Sequence, residues 1–371
     1  MMRKLDLILQ TIWRGEKNAY HRLQVILKPL ARLYAAWMRL RAHLYLKRLR
    51  PVHKLPCFVI SVGNLSVGGT GKTPLTLYLA AHLTTAGYKV VVISRGYRGR
   101  LEARGGIVSD GRRVLAGVRD SSDEPQILAR LLKGVPVIVG DNRYLAGQRA
   151  IQQFKPDVIL LDDAFQHLKL YRDLDIVLLD CQRPFGNGYT LPAGELREPP
   201  RALGRSHTAI LTRCPADGKG LSRQVPDQFA RYLTGPVFQS RHVPVIRDIH
   251  VAQGCRPTEN PLAGRRVFAF SGVAKNEDFL YALSGLDCEV VGSQGFPDHH
   301  FFSERDLAGI CRQVQELDVD CIVTTEKDHV KIEPAICWPV DLVVVGVDIS
   351  FGDDEERFHN WLGKQLPDRP I

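Results

Sequence analysis

The chain has no C-x-x-C pair and no cluster of cysteine with histidine. Its eight cysteines, at 57, 181, 214, 255, 288, 311, 321 and 337, are scattered. That distribution argues against a disulfide scaffold and against a structural zinc site, and points to reduced thiols in the cytoplasm. Long apolar runs are also missing. The longest uncharged apolar stretch near the start, Leu33 to Met38, falls far short of the roughly 20 residues of a membrane-spanning helix. Arg14, Lys17, Arg22 and Lys28 interrupt every run that could serve as a cleavable signal. There is no internal repeat and no low-complexity tract. What remains is globular: 371 residues with 44% hydrophobic content are enough for two modest domains.

Acidic residues are nearly absent from the first fifty positions. Residues 1–50 hold 12 Lys/Arg against Asp6 and Glu16, so the whole net charge of +10 sits there and the other 321 residues balance. Pro29 suits the first turn of a helix running to about Leu49. On its wheel Leu30, Leu33, Tyr34, Trp37 and Leu44 form a stripe, with Lys28, Arg32, Arg39 and Lys47 opposite. A basic amphipathic helix carrying Trp and Tyr fits an anionic membrane surface. The other reading is a helix packed on the body of the protein with a solvated basic face. A nucleic-acid arm is disfavoured, because the balanced remainder offers no basic groove.

Residues 58–73, F-V-I-S-V-G-N-L-S-V-G-G-T-G-K-T, are the most informative stretch. A β-branched strand leads into a glycine loop, and Lys72-Thr73 open an apolar-periodic helix (Leu75, Leu77, Leu79, Ala80, Leu83) that ends at Gly87. This order makes a phosphate cradle. Backbone N–H groups of Ser66, Val67, Gly68, Gly69, Thr70 and Gly71 face the anion, Lys72 reaches the terminal phosphates and Thr73 ligates Mg²⁺. The strict pattern has Gly where Ser66 stands.

Further buried strands are expected at Lys89–Ser94, Val135–Val139, Asp157–Leu161, Asp175–Asp180 and Ala209–Thr212, with a helix over Leu145–Phe154. They describe βα units in a doubly wound, mostly parallel α/β sheet of the P-loop NTPase kind, with ligands at the carboxyl ends of the strands. A linker is expected within residues 213–262. A second, smaller α/β unit follows, with strands at Val267–Phe270, Cys321–Thr324 and Leu342–Val347 and helical periods at Glu277–Leu286 and Ser303–Leu317. The domain limits follow: 1–50 a basic helix, 51–240 a nucleotide-binding domain, 241–371 a closing domain.

Several polar clusters fall at expected strand ends and turns. Asp162-Asp163 closes a strand as a P-loop's Mg²⁺-side carboxylates do, although strand-end acids also cap helices. His167 either orients substrate or metal-bound water, or packs. Asp123-Glu124-Pro125 precedes a helix with Pro125 at its first position; Asp123 or Glu124 caps it, or Asp123 is a general base for an attacking hydroxyl. Pro297-Asp298-His299-His300 follows a glycine-bearing loop (Gly292, Gly295), and an Asp–His pair tunes a proton acceptor near neutral pH. The Pro-rich loop 191–201 brings Arg197, Glu198 and Arg201 together, with Arg205 nearby, and suits an anionic substrate. Arg143 is a similar candidate, and Thr324–Asp328 ends a second-domain strand.

Taken in order, S-V-G-G-T-G-K-T-P, S-R-G-Y-R-G, D-E-P, L-D-D-x-F-Q-H, L-P-A-G-x-L-R-E-P, F-P-D-H-H and T-T-E-K-D resemble the tetraacyldisaccharide 4′-kinases of lipid A biosynthesis, from about residue 57 to 331. The resemblance implies two α/β/α domains with the active site between them. It implies transfer of the γ-phosphate of ATP to the 4′-hydroxyl of a tetraacylated disaccharide 1-phosphate, at the cytoplasmic face of the bacterial inner membrane. It makes Asp123 the base, His299 its supporting histidine, Asp162 and Asp163 the Mg²⁺-side carboxylates, and Arg143, Arg197 and Glu198 further site residues. No nucleic acid and no obligate protein partner are expected. Ala164 stands where the family commonly has Gly, and Glu195 where Pro is common. The rival reading is a membrane-associated P-loop switch ATPase related to partitioning ATPases, which would need neither Asp123 nor His299 as a proton acceptor.

Overall fold

The computed structural model describes residues 13, 21–215, 229, 231–252, 261–332 and 336–368. Much of the basic segment (1–12 and 14–20) and of the expected linker (216–228, 230, 253–260) lies outside them.

Among the described residues thirteen strands form two sheets. The first contains β1 (Phe58–Asn64), β2 (Val90–Ser94), β3 (Gly106–Ser109), β4 (Val137–Val139), β5 (Val158–Asp162), β6 (Leu174–Asp180), β7 (Thr208–Thr212) and β8 (Val237–Gln239), in the order β3-β4-β2-β5-β1-β6-β7-β8. Only β3, at an edge, runs antiparallel. Because the inner strands are covered on both faces, they read as continuous apolar runs. Ile60, Val62, Val90, Val92 and Leu160 pack with Leu75, Leu79 and Leu83 of the helix Lys72–Thr85. Val59, Val91, Ile93 and Ile159 face Ala146 and Ala150 of the helix Arg143–Phe154. Each fully buried Leu, Ile or Val contributes about 1.5–3 kcal/mol relative to exposure. The helix Lys72–Thr85 stops as expected: Gly87 takes φ 92, its N–H reaches Thr84 O, and Tyr88 N–H reaches Leu83 O.

The second sheet contains β9 (Arg241–His250), β10 (Arg266–Ser271), β11 (Glu289–Gly295), β12 (Cys321–Thr325) and β13 (Asp341–Ser350), ordered β11-β10-β12-β13-β9. Alternation along β10 divides its neighbours. Val267 and Ala269 pack with Phe279 and Leu283 of the helix Asn276–Ser284. Phe268 and Phe270 pack with Leu307, Ile310 and Val314 of the helix Glu304–Leu317. That second helix starts on a capping box between Ser303 and Asp306. The chain changes sheets between Gln239 and Arg241, then returns at its end. Phe351, Phe358 and Leu362 (the last two from the helix Glu355–Gln365) join the core of the first sheet.

The structure departs from the sequence expectations or adds to them at five points. The N-terminal helix spans His21–Leu46 and carries Pro29 inside it rather than in its first turn. Pro125 is the third residue of the helix Asp123–Leu131, whose cap position is Ser122 with no side-chain capping bond. Gly292 and Gly295 lie within β11 rather than in a loop. The stretch 213–262 contributes β8 and β9 instead of linker alone; β9 carries Pro244 and pairs only with β13, and an edge strand tolerates a proline's missing donor. Finally, β3 escaped the reading because it has only four residues.

Candidate active site

The glycine loop follows the central strand β1, which is flanked by β5 and β6. Gly68 (φ 112) and Gly71 (φ 88) hold left-handed conformations that a side chain would strain. Ser66 needs no such freedom. Its backbone forms an antiparallel bridge to Leu196, while Val67 N–H donates to Glu195 O at 2.7 Å. The proline-rich loop thus clamps the start of the phosphate cradle, which explains how Ser is tolerated there. Thr70 is fixed from both sides: Asn64 Nδ2 donates to its hydroxyl (2.9 Å) and the Thr212 hydroxyl donates to its carbonyl (3.0 Å). Arg213, at the end of β7, donates to Gly69 O at 2.7 Å and pairs with Asp180 at 3.1 Å. Sequence reading missed Arg213; its place just after a buried strand of the nucleotide sheet was the available signal. Lys72 is buried at the helix start, and Thr73 follows it half-buried.

Asp162 ends β5, next to the cradle. It is buried, with Thr76 Oγ1 at 3.3 Å and Ser94 Oγ at 3.4 Å from its two oxygens. Burial, and then the negative charges of Glu124 and Asp163, push its carboxyl up. Asp163, in a left-handed conformation (φ 50), turns elsewhere: both oxygens accept from Arg197 Nη1 at 2.8 and 2.9 Å, with Lys72 Nζ at 3.9 Å. Burial opposes its charge, but Lys72 and Arg197 hold its carboxyl below the ordinary range. The donors fit Mg²⁺, a hard ion that prefers oxygen: the Thr73 hydroxyl at the helix start and the Asp162 carboxylate, whose oxygens accept only long hydroxyl hydrogen bonds, would hold it, while Asp163 serves the guanidinium. Arg143 is buried at the start of its helix and donates to Gly140 O at 2.6 Å and Asp162 O at 3.5 Å.

A second cluster joins the two sheets. Asp123, at the head of its helix, is 4% exposed, and its Oδ2 lies 2.8 Å from His299 Nδ1. His299 sits in the turn Pro297–His300, in a left-handed conformation (φ 59). Lys327 Nζ lies 3.9 Å and Lys331 Nζ 4.0 Å from the same oxygen. Burial would push the Asp123 carboxyl up, but the His299 hydrogen bond and the charges of Lys327, His299 and Lys331 outweigh it and hold it at about 2. Asp123 is therefore an ionised acceptor, and His299 Nδ1–H the donor. Lys331 is itself buried and paired with buried Asp328 at 2.8 Å. Lys331 went unnoticed in the sequence, where only its spacing from T-T-E-K-D hinted at it.

The remaining candidates divide. Arg197 reaches the site through Asp163. Glu198 instead accepts a bidentate pair from Arg205 at 2.8 and 2.9 Å and is 1% exposed, so its contact in this structure is a buried brace. His167 Nε2 is buried without a hydrogen-bond partner, and burial together with Arg143 and Arg172 lowers its imidazole to about 4. His167 is thus neutral. The N-terminal helix docks behind the proline-rich loop. Ala31, Met38, Ala42 and Tyr45 face inward, the Thr190 hydroxyl donates to Ala31 O (2.8 Å), and Arg41 donates to Gln166 O (3.1 Å). Its outer side leaves Ile26, Leu30, Leu33, Trp37 and Leu40 at least half exposed, beside exposed Arg32 and Arg39. Two apolar faces therefore replace the single expected stripe, and Tyr34 and Leu44 are half-buried. Among the described residues no helix is long and apolar enough to cross a membrane.

The chain resembles known proteins over most of its length. A family model described as tetraacyldisaccharide-1-P 4′-kinase matches residues 23–367. A protein of Pelobacter propionicus named tetraacyldisaccharide 4′-kinase is 43% identical over 332 residues, 87% of this chain and 89% of its own. One of the same name from Syntrophus aciditrophicus is 42% identical over 317 residues, 84% of each. Among solved structures, an LpxK from Aquifex aeolicus, crystallised in complex with ATP, matches with a TM-score of 0.72 at 29% identity, over 93% of this chain and all of that one.

Proposed function

Because the chain belongs to the tetraacyldisaccharide 4′-kinase family, we propose that its two residue clusters divide one phosphoryl transfer between them. The protein is an ATP-dependent kinase that transfers the γ-phosphate of ATP to the 4′-hydroxyl of tetraacyldisaccharide 1-phosphate, in lipid A biosynthesis. The glycine loop and the amino end of the helix Lys72–Thr85 cradle the triphosphate, and Lys72 neutralises its terminal charge. Thr73 and Asp162 would hold Mg²⁺, which would supply charge neutralisation on the phosphates. Asp163 aims Arg197 at the transferring group, and Arg143 supports the loop around Asp162.

Asp123 accepts the proton of the attacking hydroxyl. The O–H bond of the sugar breaks, its oxygen bonds the γ-phosphorus, and the bridging oxygen leaves with ADP. His299, donating from the other sheet, holds the carboxylate in its attacking orientation. Positioning and charge stabilisation supply most of such a transfer, and closure of the two lobes excludes water. The single observation that carries this reading is the 2.8 Å Asp123–His299 pair between residues 176 positions apart. A nucleotide switch has no use for a proton acceptor there.

An acceptor with four acyl chains stays in a bilayer, so the enzyme works at a surface. The exposed apolar row of the N-terminal helix, flanked by arginines, suits an anionic membrane, and the protein is peripheral on the cytoplasmic face of the bacterial inner membrane. Labelled ATP mixed with the disaccharide 1-phosphate lipid tests the whole reading: a bisphosphorylated product is expected. ATP turnover indifferent to that acceptor would instead favour the switch ATPase.

A further inference from the structure

The base is surrounded by more positive charge than its task needs. Three nitrogen groups face Asp123: the His299 ring at 2.8 Å and the ammonium groups of Lys327 at 3.9 Å and Lys331 at 4.0 Å. The acids around them are Glu124 on the same helix, Asp298 on the histidine turn and Asp328 under Lys331. A carboxylate so heavily compensated binds a proton weakly, whereas general-base catalysis favours a proton affinity nearer the working pH. The resting arrangement therefore has to change before the hydroxyl is deprotonated.

One of the three groups is held more loosely than the others. His299 hydrogen-bonds Asp123 directly. Lys331 is 1% exposed and held at 2.8 Å by Asp328, which in turn accepts from Gly272 N–H and the Thr325 hydroxyl. Lys327 is different. Its ammonium makes one long hydrogen bond, 3.4 Å to Asp298, and lies 3.9 and 4.0 Å from Asp123 and Glu124. Those three carboxylates come from both lobes, and the shared charge keeps Lys327 protonated against its burial. Glu124, which Lys327 approaches at 4.0 Å, also acts on Asp162 through its charge.

We infer that Lys327 is a phosphate-seeking charge that neutralises Asp123 in the empty enzyme and turns to the γ-phosphate when ATP arrives, freeing the carboxylate to accept the sugar's proton. A triphosphate end carries more charge than any one of its present partners, so the direction of the transfer follows from electrostatics. No bond is made or broken in this step. The ammonium keeps its proton and moves its hydrogen bonds from carboxylates to phosphoryl oxygens. It deepens the reading of Asp123 as the base and rests on it.

The test is the pH dependence of full-length enzyme with ATP and the lipid acceptor. The acidic limb of kcat/KM for ATP reports Asp123 in the ATP-free enzyme, and that of kcat reports it with ATP bound. In the native protein the kcat limb should lie higher by about one pH unit, the effect of removing one cation about 4 Å away. Lys327→Met should raise the kcat/KM limb to meet the kcat limb and lower kcat by roughly 10²-fold, as loss of a transition-state charge does. Lys327→Arg should restore the separation. Coincident limbs in the native enzyme, or a separation that survives in Lys327→Met, would overturn the inference. Thermal melting and ATP binding establish that each variant is folded, and if Lys327→Met is not, Lys327→Gln replaces it. The underlying assignment fails separately: Asp123→Asn with native turnover removes the base itself.

Discussion

His299 Nδ1 and Asp123 Oδ2 meet at 2.8 Å across two sheets, the aspartate 4% exposed and the histidine placed by a left-handed backbone. One carboxylate oxygen accepts from the other lobe while Oδ1 accepts from Glu124 N–H at 3.0 Å. The acid therefore does locally a little of what a capping residue does, but its principal bond serves the cleft.

Asp123→Ala should lower turnover by roughly two to four decades while ATP still binds. His299→Ala should lose less, about 10–10²-fold, because it removes orientation and leaves the acceptor in place. Turnover in both variants and ATP affinity by calorimetry check this; unchanged turnover in Asp123→Ala returns that residue to a structural role.

Lys72→Ala should abolish phosphoryl transfer without unfolding the chain, since the ammonium's only described ionic partner is Asp163 at 3.9 Å. Robust residual activity in a labelled-ATP assay would remove the glycine loop from the mechanism.

Glu198→Ala should act on stability. It strands the Arg205 guanidinium, which is 12% exposed and stacked 4.6 Å from the Phe165 ring. Removing one partner of a buried ion pair costs about 3–5 kcal/mol. A denaturant midpoint unchanged from native would contradict the brace. Arg197 predicts the opposite pattern: Arg197→Met, which removes the Nη1 donor to both Asp163 oxygens, should depress kcat with little change in melting temperature.

The pH dependence of stability follows from Asp123. Its carboxyl falls from an ordinary 3.8 to about 2 on folding, so the native state binds its proton more weakly. The contribution to stability is complete above the unfolded value and disappears as pH falls from about 4 to about 2. In urea titrations, the stability difference between the native protein and Asp123→Asn should therefore shrink across that window. A difference constant from pH 7 to pH 2 would mean that the carboxylate is not held ionised.

The N-terminal helix separates docking from membrane contact. Deleting residues 1–49 should reduce sedimentation with anionic vesicles, but it also removes the packing of Ala31, Met38 and Tyr45. Leu33→Glu with Trp37→Glu alters only the outer face, where both residues are more than half exposed. That variant should lose vesicle binding at an unchanged melting temperature. Retained binding would place the contact elsewhere.

Much of the first sheet was legible because parallel strands buried on both faces become continuous apolar runs, and Val90–Ser94, Val158–Asp162 and Thr208–Thr212 each lie within a residue of expectation. The glycine loop was legible because its conformation is local: Gly68, Gly71 and the lysine that follows are adjacent in the chain. The edge strand β9 was hidden by Pro244, and β3 by its brevity. Pro29 misled because proline favours a helix's first turn, yet here residues 21–28 extend the helix ahead of it.

Residue order alone determined the phosphate cradle, the βα rhythm and the concentration of basic charge at one end, since each depends on neighbours within a few positions. Folding in three dimensions decided the rest. It set Asp123 against His299, gave Asp163 to Arg197 and Glu198 to Arg205, placed Lys327 among three acids, and chose which side of the N-terminal helix faces out. Those pairings depend on how two sheets and their loops approach, and side-chain periodicity carries no information about that distance.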